Sequence, residues 1–346
     1  VTTSNRSRRR LSALGAVLAM ALTVSACGGS SADDAAGDAA GDAAGGGDVL
    51  DVNFGYIADF NGTSLLAVAE DQGLWEKHGV DVTTSVFTNG PLQIQALGTG
   101  NLDFGYIGPG AFWLPASGQA TVVALNTLGR ADRVIAQPGI ASIEDLRGKT
   151  VAVPEGTSGD MILTLALEDA GMTKDDVNLV TMDAATLVPA FSSQQVDAAG
   201  FWYPAIATIK QQVPDLVELA QNTDFSDVME FPTAFVAGNE VVADEQEKVT
   251  RVVAALREAM DYRAANLDET VQLTADMLSL DPEQVAADAA NSELLTSADV
   301  DAATEDGTVD GWLDAMNEFF VGAGQLPQAP ASNDYYAGDA FVAAGE

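Results

Sequence analysis

The chain has 346 residues, with 51 acidic against 15 basic side chains and a formal net charge of −36 at neutral pH. So negative a body is repelled by phosphate backbones and by anionic lipid headgroups alike, which sets nucleic acid aside as a partner. A single cysteine excludes an internal disulfide.

The N-terminus reads as an export signal over residues 1–26: Arg6, Arg8, Arg9 and Arg10 precede an apolar run from Leu11 to Val24 that is too short to span a bilayer as a mature helix. Val24-Ser25-Ala26-Cys27-Gly28 resembles the bacterial lipobox, in which the cysteine is acylated and becomes the new N-terminus. Cys27 is therefore expected to anchor an extracytoplasmic protein to the cell membrane. Arg8-Arg9 also resembles a twin-arginine signal, but the residues after it fit that pattern poorly and an ordinary Sec signal is expected. Residues 27–49 are almost wholly Gly, Ala, Ser and Asp, too polar and small to offset chain entropy by burial, and read as a disordered tether.

From residue 50 onward strands and helices alternate. Val52 to Ile57 is β-rich. Ser64 to His78 carries Leu65, Val68, Ala69 and Gln72 at helical spacing and stops at Gly79. Val80 to Phe87 is the next strand, and Asn89-Gly90-Pro91 opens a helix with proline in its first turn. Leu102 to Ile107 and Thr121 to Leu125 follow as strands, and Phe104-Gly105-Tyr106-Ile107 repeats Phe54-Gly55-Tyr56-Ile57. A second series has strands at Thr150 to Val153, Val177 to Met182 and Val196 to Phe201, with helices after Gly156 and from Ala185 to Ser193. After Thr233 to Gly238 the chain turns helical, with stripes at Val249, Val252, Val253, Leu256 and Met260 and at Trp312, Met316, Phe319 and Phe320 that suit core packing.

Strand–helix alternation predicts parallel sheets in an α/β protein of two lobes. Residues 50–133 form the first part of lobe I, 134–238 form lobe II, and 239–346 return to complete lobe I. Crossings near Arg133 to Gln137 and near Thr233 to Gly238 would make a hinge that closes on a ligand.

Four segments carry a resemblance. They are Ala67-Val68-Ala69-Glu70-Asp71-Gln72-Gly73-Leu74-Trp75 with Gly79-Val80; Gly100-Asn101-Leu102-Asp103-Phe104-Gly105; Ile143-Glu144-Asp145-Leu146-Arg147-Gly148-Lys149-Thr150-Val151-Ala152-Val153-Pro154; and Gln195-Val196-Asp197-Ala198-Ala199-Gly200-Phe201-Trp202-Tyr203-Pro204. In this order, with Leu294-Leu295-Thr296 and Gly324-Gln325-Leu326-Pro327, the chain resembles the taurine, nitrate and aliphatic-sulfonate family of ABC-transporter substrate-binding lipoproteins from about Val52 to Tyr336. The resemblance implies a type II periplasmic-binding fold with a small-molecule ligand between the lobes, no cofactor, action as a monomer, and an ABC permease with its ATPase as partners. Trp202 and Tyr203 lie where the family has a Trp-x-Pro-like pocket wall, although the order here is Trp-Tyr-Pro.

In open parallel sheets ligands sit beyond the carboxyl ends of the strands. That rule selects Asp59, Asn61 and Thr63 after the first strand, Asn89 after the second, Gly108 and Pro109 after the third, Asn126 after the fourth, and Thr157, Ser158, Gly159, Trp202 and Tyr203 from lobe II. Gly156 to Gly159, at a helix N-terminus, is the best oxyanion cradle, with Thr157 or Ser158 serving equally as a cap. The eleven basic residues that follow Cys27 all fall outside these loops, whereas Asp59 lies in one, which favours a zwitterionic or amine-bearing solute over a simple alkanesulfonate.

Catalysis has little footing. His78 is the only histidine and sits at a predicted helix end; no Gly-x-Ser-x-Gly elbow is present, and the carboxylates lack calcium-loop spacing. An extracytoplasmic enzyme related to the yeast thiamine-pyrimidine synthases would require the cysteine-rich loop and histidine of those proteins, which this chain lacks. A ligand-sensing lipoprotein without a transport role is the other alternative.

Overall fold

A computed structural model describes residues 48–346. The expected signal peptide, Cys27 and nearly all of the expected tether lie outside the described residues. The strands in chain order are β1 (Leu50–Ile57), β2 (Val80–Phe87), β3 (Phe104–Ile107), β4 (Thr121–Gly129), β5 (Asp132–Ala136) and β6 (Thr150–Val153). They continue as β7 (Asn178–Thr181), β8 (Ala198–Trp202), β9 (Val217–Gln221), β10 (Pro232–Ala237) and β11 (Ser292–Leu294). Two sheets result, ordered β11-β4-β10-β3-β1-β2 and β7-β6-β8-β5-β9.

The parallel expectation holds where a helix joins two strands of one sheet, as between β1 and β2, which pair from Leu50↔Val80 to Ile57↔Phe87. It fails at β10, antiparallel to β3 and β4, and at β5, antiparallel to β8 and β9. Both strands enter their sheets from the other lobe without a crossover helix, so the handedness rule that enforces parallel order does not act on them. The chain changes sheets at Arg130-Ala131 and between Gln221 and Pro232, earlier than the crossings read from sequence, so β10 already belongs to lobe I. The two crossings are tied together. Asp132 N donates to Asn222 Oδ1 at 2.7 Å, Asn222 Nδ2 donates to Asp132 Oδ2 at 3.0 Å, and Arg130 pairs with Glu230 at 2.8 Å and Glu293 at 3.1 Å.

The repeated Phe-Gly-Tyr-Ile has a packing reason. Phe54 and Phe104 are register partners with stacked rings 5.6 Å apart, and Phe235 meets Phe54 edge-on at the same spacing. A Cβ at Gly55 or Gly105 would lie 2.7 or 2.9 Å from Gln93 Oε1. Gln93, fully buried, bonds both the amide and the carbonyl of Tyr106, at 2.9 and 2.8 Å. The two glycines thus let the helix Gly90–Gly98 dock on the sheet and fix its N-terminus at the strand ends.

The expected helix from Ser64 to His78 is two: Phe60–Asp71, capped by Asp59, and Leu74–Lys77, separated at Gly73 where φ is +62°. The C-terminal return packs on lobe I as the apolar stripes require. Val249, Val252, Val253, Leu256 and Met260 of the helix Gln246–Ala265 are buried, as are Met316 and Phe320 of Thr308–Gly322.

Candidate functional site

Between the lobes lies a cleft enclosing about 550 Å³, mouth included, with walls from both sheets. Lobe I contributes Asp59, Asn61, Asn89, Tyr106, Gly108, Pro109, Thr233 and Asp288; the crossing and lobe II contribute Asp132, Thr157, Ser158, Trp202 and Tyr203. No lysine, arginine or histidine lines it.

Three carboxylates do, each at least nine-tenths buried: Asp59 is 9% exposed, Asp132 3% and Asp288 6%. Asp59 caps the helix Phe60–Asp71, accepting from Gly62 N at 2.6 Å through Oδ1. Asp288, on the helix Pro282–Ala289, accepts from Phe60 N at 2.7 Å through Oδ2. One helix N-terminus therefore holds two carboxylates, while its partial charge of about half a unit offsets only part of one. Burial, then the charge of Asp288, pushes Asp59 well above the ordinary carboxylate range. Burial lifts Asp288 to about 6. Asp132 is also raised by burial, with Ser158 and Asn222 partly offsetting the rise. Tyr106 is raised by burial and by the charge of Asp59, and so stays a neutral phenol beside them.

Beneath this floor Arg263 is fully buried, donating to Asn126 Oδ1 at 2.8 Å, Asn126 O at 2.9 Å and Ser64 Oγ at 3.1 Å. Burial lowers it to about 9. Its fork is spent on Asn126 and Ser64 and does not line the cleft.

Of the residues expected from sequence, Asp59, Asn61, Asn89, Gly108, Pro109, Thr157, Ser158, Trp202 and Tyr203 line the cleft together. Thr63, Asn126 and Gly159 do not. Thr63 is fully buried and donates its hydroxyl to Ile57 O. Asn126 serves Arg263 and donates to Asn61 O at 2.8 Å. Gly159 is the close approach of its helix to β8, where a Cβ would lie 2.5 Å from Gly200 O.

The oxyanion cradle is also altered. Thr157 occupies the N-cap position of the helix Ser158–Asp169 but donates its hydroxyl to Pro154 O, and Gly156 N donates to Asp160 Oδ2 at 3.2 Å. Tyr203 is held on its far side by Lys210 and Glu218, each 2.7 Å from its hydroxyl.

Sequence reasoning missed Asp132, Asp288, Tyr106 and Thr233. Asp288 left a trace: at three residues from Val285 and one from Ala289 it shares their buried helix face, an acid on an apolar stripe. Asp132 left none, because β5 was read as a crossing rather than a strand.

Two α/β lobes, two tied crossings and a polar cleft lined from both sides define the periplasmic-binding-protein fold. The profile of the NMT1/THI5-like family matches residues 61–270, and the chain belongs to that family. A Brucella abortus protein whose name says no more than binding protein is 54% identical over 86% of this chain and 93% of its own. An aliphatic sulfonates-binding protein of Bacillus subtilis is 27% identical over 67% of this chain and 72% of its own. Among solved structures, the alkanesulfonate-binding protein SsuA from Xanthomonas axonopodis pv. citri bound to MOPS superposes with a TM-score of 0.65 at 20% identity, covering 84% of this chain and 99% of that one. The desulfurization enzyme DSZB shares the fold at TM-score 0.61 and 15% identity, over 85% and 98% of the two chains. The fold alone therefore does not decide between binding and catalysis.

Proposed function

We propose that the protein is the extracytoplasmic solute-binding lipoprotein of an ABC importer, capturing a small organic solute in the interlobe cleft and delivering it unchanged, as a monomer, to a membrane permease and its ATPase. The observation that carries this reading is a polar cleft closed by residues of both lobes, and the relatives named as binding proteins support it. The cleft lining includes no cysteine, histidine or lysine to act as nucleophile or base, which favours capture over the chemistry of the enzyme neighbour. The taurine or sulfonate assignment rests on more distant relatives; the three carboxylates favour a nitrogen-bearing solute.

Thermal-shift screening of the full mature chain tests the reading. A true solute at a hundred times its dissociation constant should add about 2.7 kcal/mol to folded-state stability. Trp202→Ala should lose most of that gain while the unliganded melting temperature stays within a few degrees, because Trp202 is half-buried at the cleft wall. A collapse of the unliganded variant would make Trp202 a core residue instead. Anchoring by Cys27 is tested separately. Cys27→Ser should move the protein from the membrane fraction to the soluble fraction or medium, and lipid retained on the variant by mass spectrometry would refute the lipobox reading.

A further inference from the structure

Three anion sites are conceivable in the cleft, and each is already occupied by the chain itself. The helix Phe60–Asp71 presents its first amides to Asp288 and Asp59. The helix Gly90–Gly98 is capped by Asn89, whose Oδ1 accepts from Leu92 N at 3.0 Å. Before the helix Ser158–Asp169, the Gly156 amide is taken by Asp160. A sulfonate entering here would displace a carboxylate or lie against three of them, with no cationic side chain in the lining to compensate.

What the cleft lacks is the opposite charge. Asp59 Oδ2 and Asp288 Oδ1 have no hydrogen-bond partner among the described residues, although both side chains are nine-tenths buried and line the cavity. Neither carboxylate, nor Asp132, takes part in a salt bridge, in a protein where twelve close ion-pair contacts are found among the described residues. The carboxylates do not converge on one point. Among the described residues no group of three His, Cys, Asp or Glu could hold a metal ion, so the missing charge belongs to an organic cation. Asn61, bonded by Ser292 through Oδ1 at 2.7 Å, keeps its amide donors for the remainder of the solute. Trp202 and Tyr106 give it aromatic surface, which favours a cation as well.

We propose that this cleft selects its solute by a protonated nitrogen, an aminium or amidinium group held by Asp59, Asp288 and Asp132, and that it rejects simple alkanesulfonates. The inference rests on the solute-binding reading above and narrows it to a ligand class.

The test is calorimetric titration of the full mature chain with benzylamine, 1,4-diaminobutane, an aminomethylpyrimidine, taurine, ethanesulfonate and nitrate, repeated with Asp59→Asn and Asp288→Asn. At least one amine should bind the wild type and weaken by about 30-fold or more in each variant, with no heat from ethanesulfonate or nitrate. Each asparagine keeps an oxygen for its helix amide, and the unliganded melting temperature of both variants should equal or exceed that of the wild type, which separates lost affinity from lost fold. Ethanesulfonate binding that the variants leave unchanged or tighten would overturn the inference and leave the solute-binding reading standing. Absence of binding by every amine also overturns it, and silence from all six compounds counts against solute binding as well.

Discussion

Gly110→Ala is expected to weaken solute binding by on the order of 100-fold, equivalent to about 3 kcal/mol, without unfolding the protein. Gly110 lies in the lobe I turn Pro109–Ala111, and a Cβ there would sit 2.1 Å from Thr157 C and 2.2 Å from Ser158 N, in the backbone of lobe II. Real carbon atoms do not approach so closely, and backbone cannot rotate aside as a side chain can. Its φ lies outside the left-handed region, so alanine adds no local strain. The methyl group acts only when the lobes close, and holds them apart. Binding that depends on closure is then lost in proportion to the population of the closed state. Gly311→Ala is the control: it is helical, meets nothing within 4 Å, and should be neutral or stabilising by about 0.5–1 kcal/mol. Titration and thermal melts of the two variants measure both effects. Wild-type affinity in Gly110→Ala would mean that the solute does not require the lobes to meet.

Acidification should weaken the same binding by about 10-fold between pH 7.5 and 5 if one proton is taken up, and by about 100-fold if two are. The sign follows from the groups facing the cleft. Asp288, lifted to about 6 by burial, and Asp59 and Asp132, raised in the same direction, must be ionised to hold a cation. Tyr106 is raised and stays neutral through this range, and Arg263 below the floor, lowered only to about 9, stays charged. Falling pH therefore protonates the carboxylates and removes their attraction.

Unliganded stability moves the other way. A carboxyl whose folded pKa exceeds its unfolded value takes up protons first in the folded state, so the folded state gains stability as pH falls from about 6 towards 3.8 and loses it as pH rises through about 6. Affinity falling while the unliganded melting temperature rises, in one pH window, is a pairing that a structural acid alone would not produce. Affinity that is flat or rises on acidification would contradict it.

Much of this was legible in the sequence, for physical reasons that differ from place to place. The first lobe follows from period-two strands and from Asn89-Gly90-Pro91, because a cap and an early proline specify a helix start locally. Asp59 was found because it follows a β run and caps a helix, two local signals at one residue. The antiparallel strands β5 and β10 were not legible as such, since their direction is set by the crossing between lobes and not by their own residues. Asp132 was lost with β5. Thr63 and Asn126 were counted as ligand contacts because loop position cannot tell a polar group aimed at a cleft from one aimed at a buried arginine. The need for that arginine, Arg263, becomes visible only once the C-terminal helix lies against lobe I. Asp288 is the instructive case: it is 229 residues from Asp59 by number, yet both serve the first turn of one helix, and only the tertiary fold makes them a pair.

The most direct measurement is a crystal structure of the mature protein with the amine that titrates most tightly. The account predicts closed lobes with Gly110 against Thr157 and Ser158, and the ligand nitrogen about 3 Å from carboxylate oxygens of Asp59 and Asp288. A ligand bound outside the interlobe cleft, or one that turns an anionic group towards those two carboxylates, would contradict it.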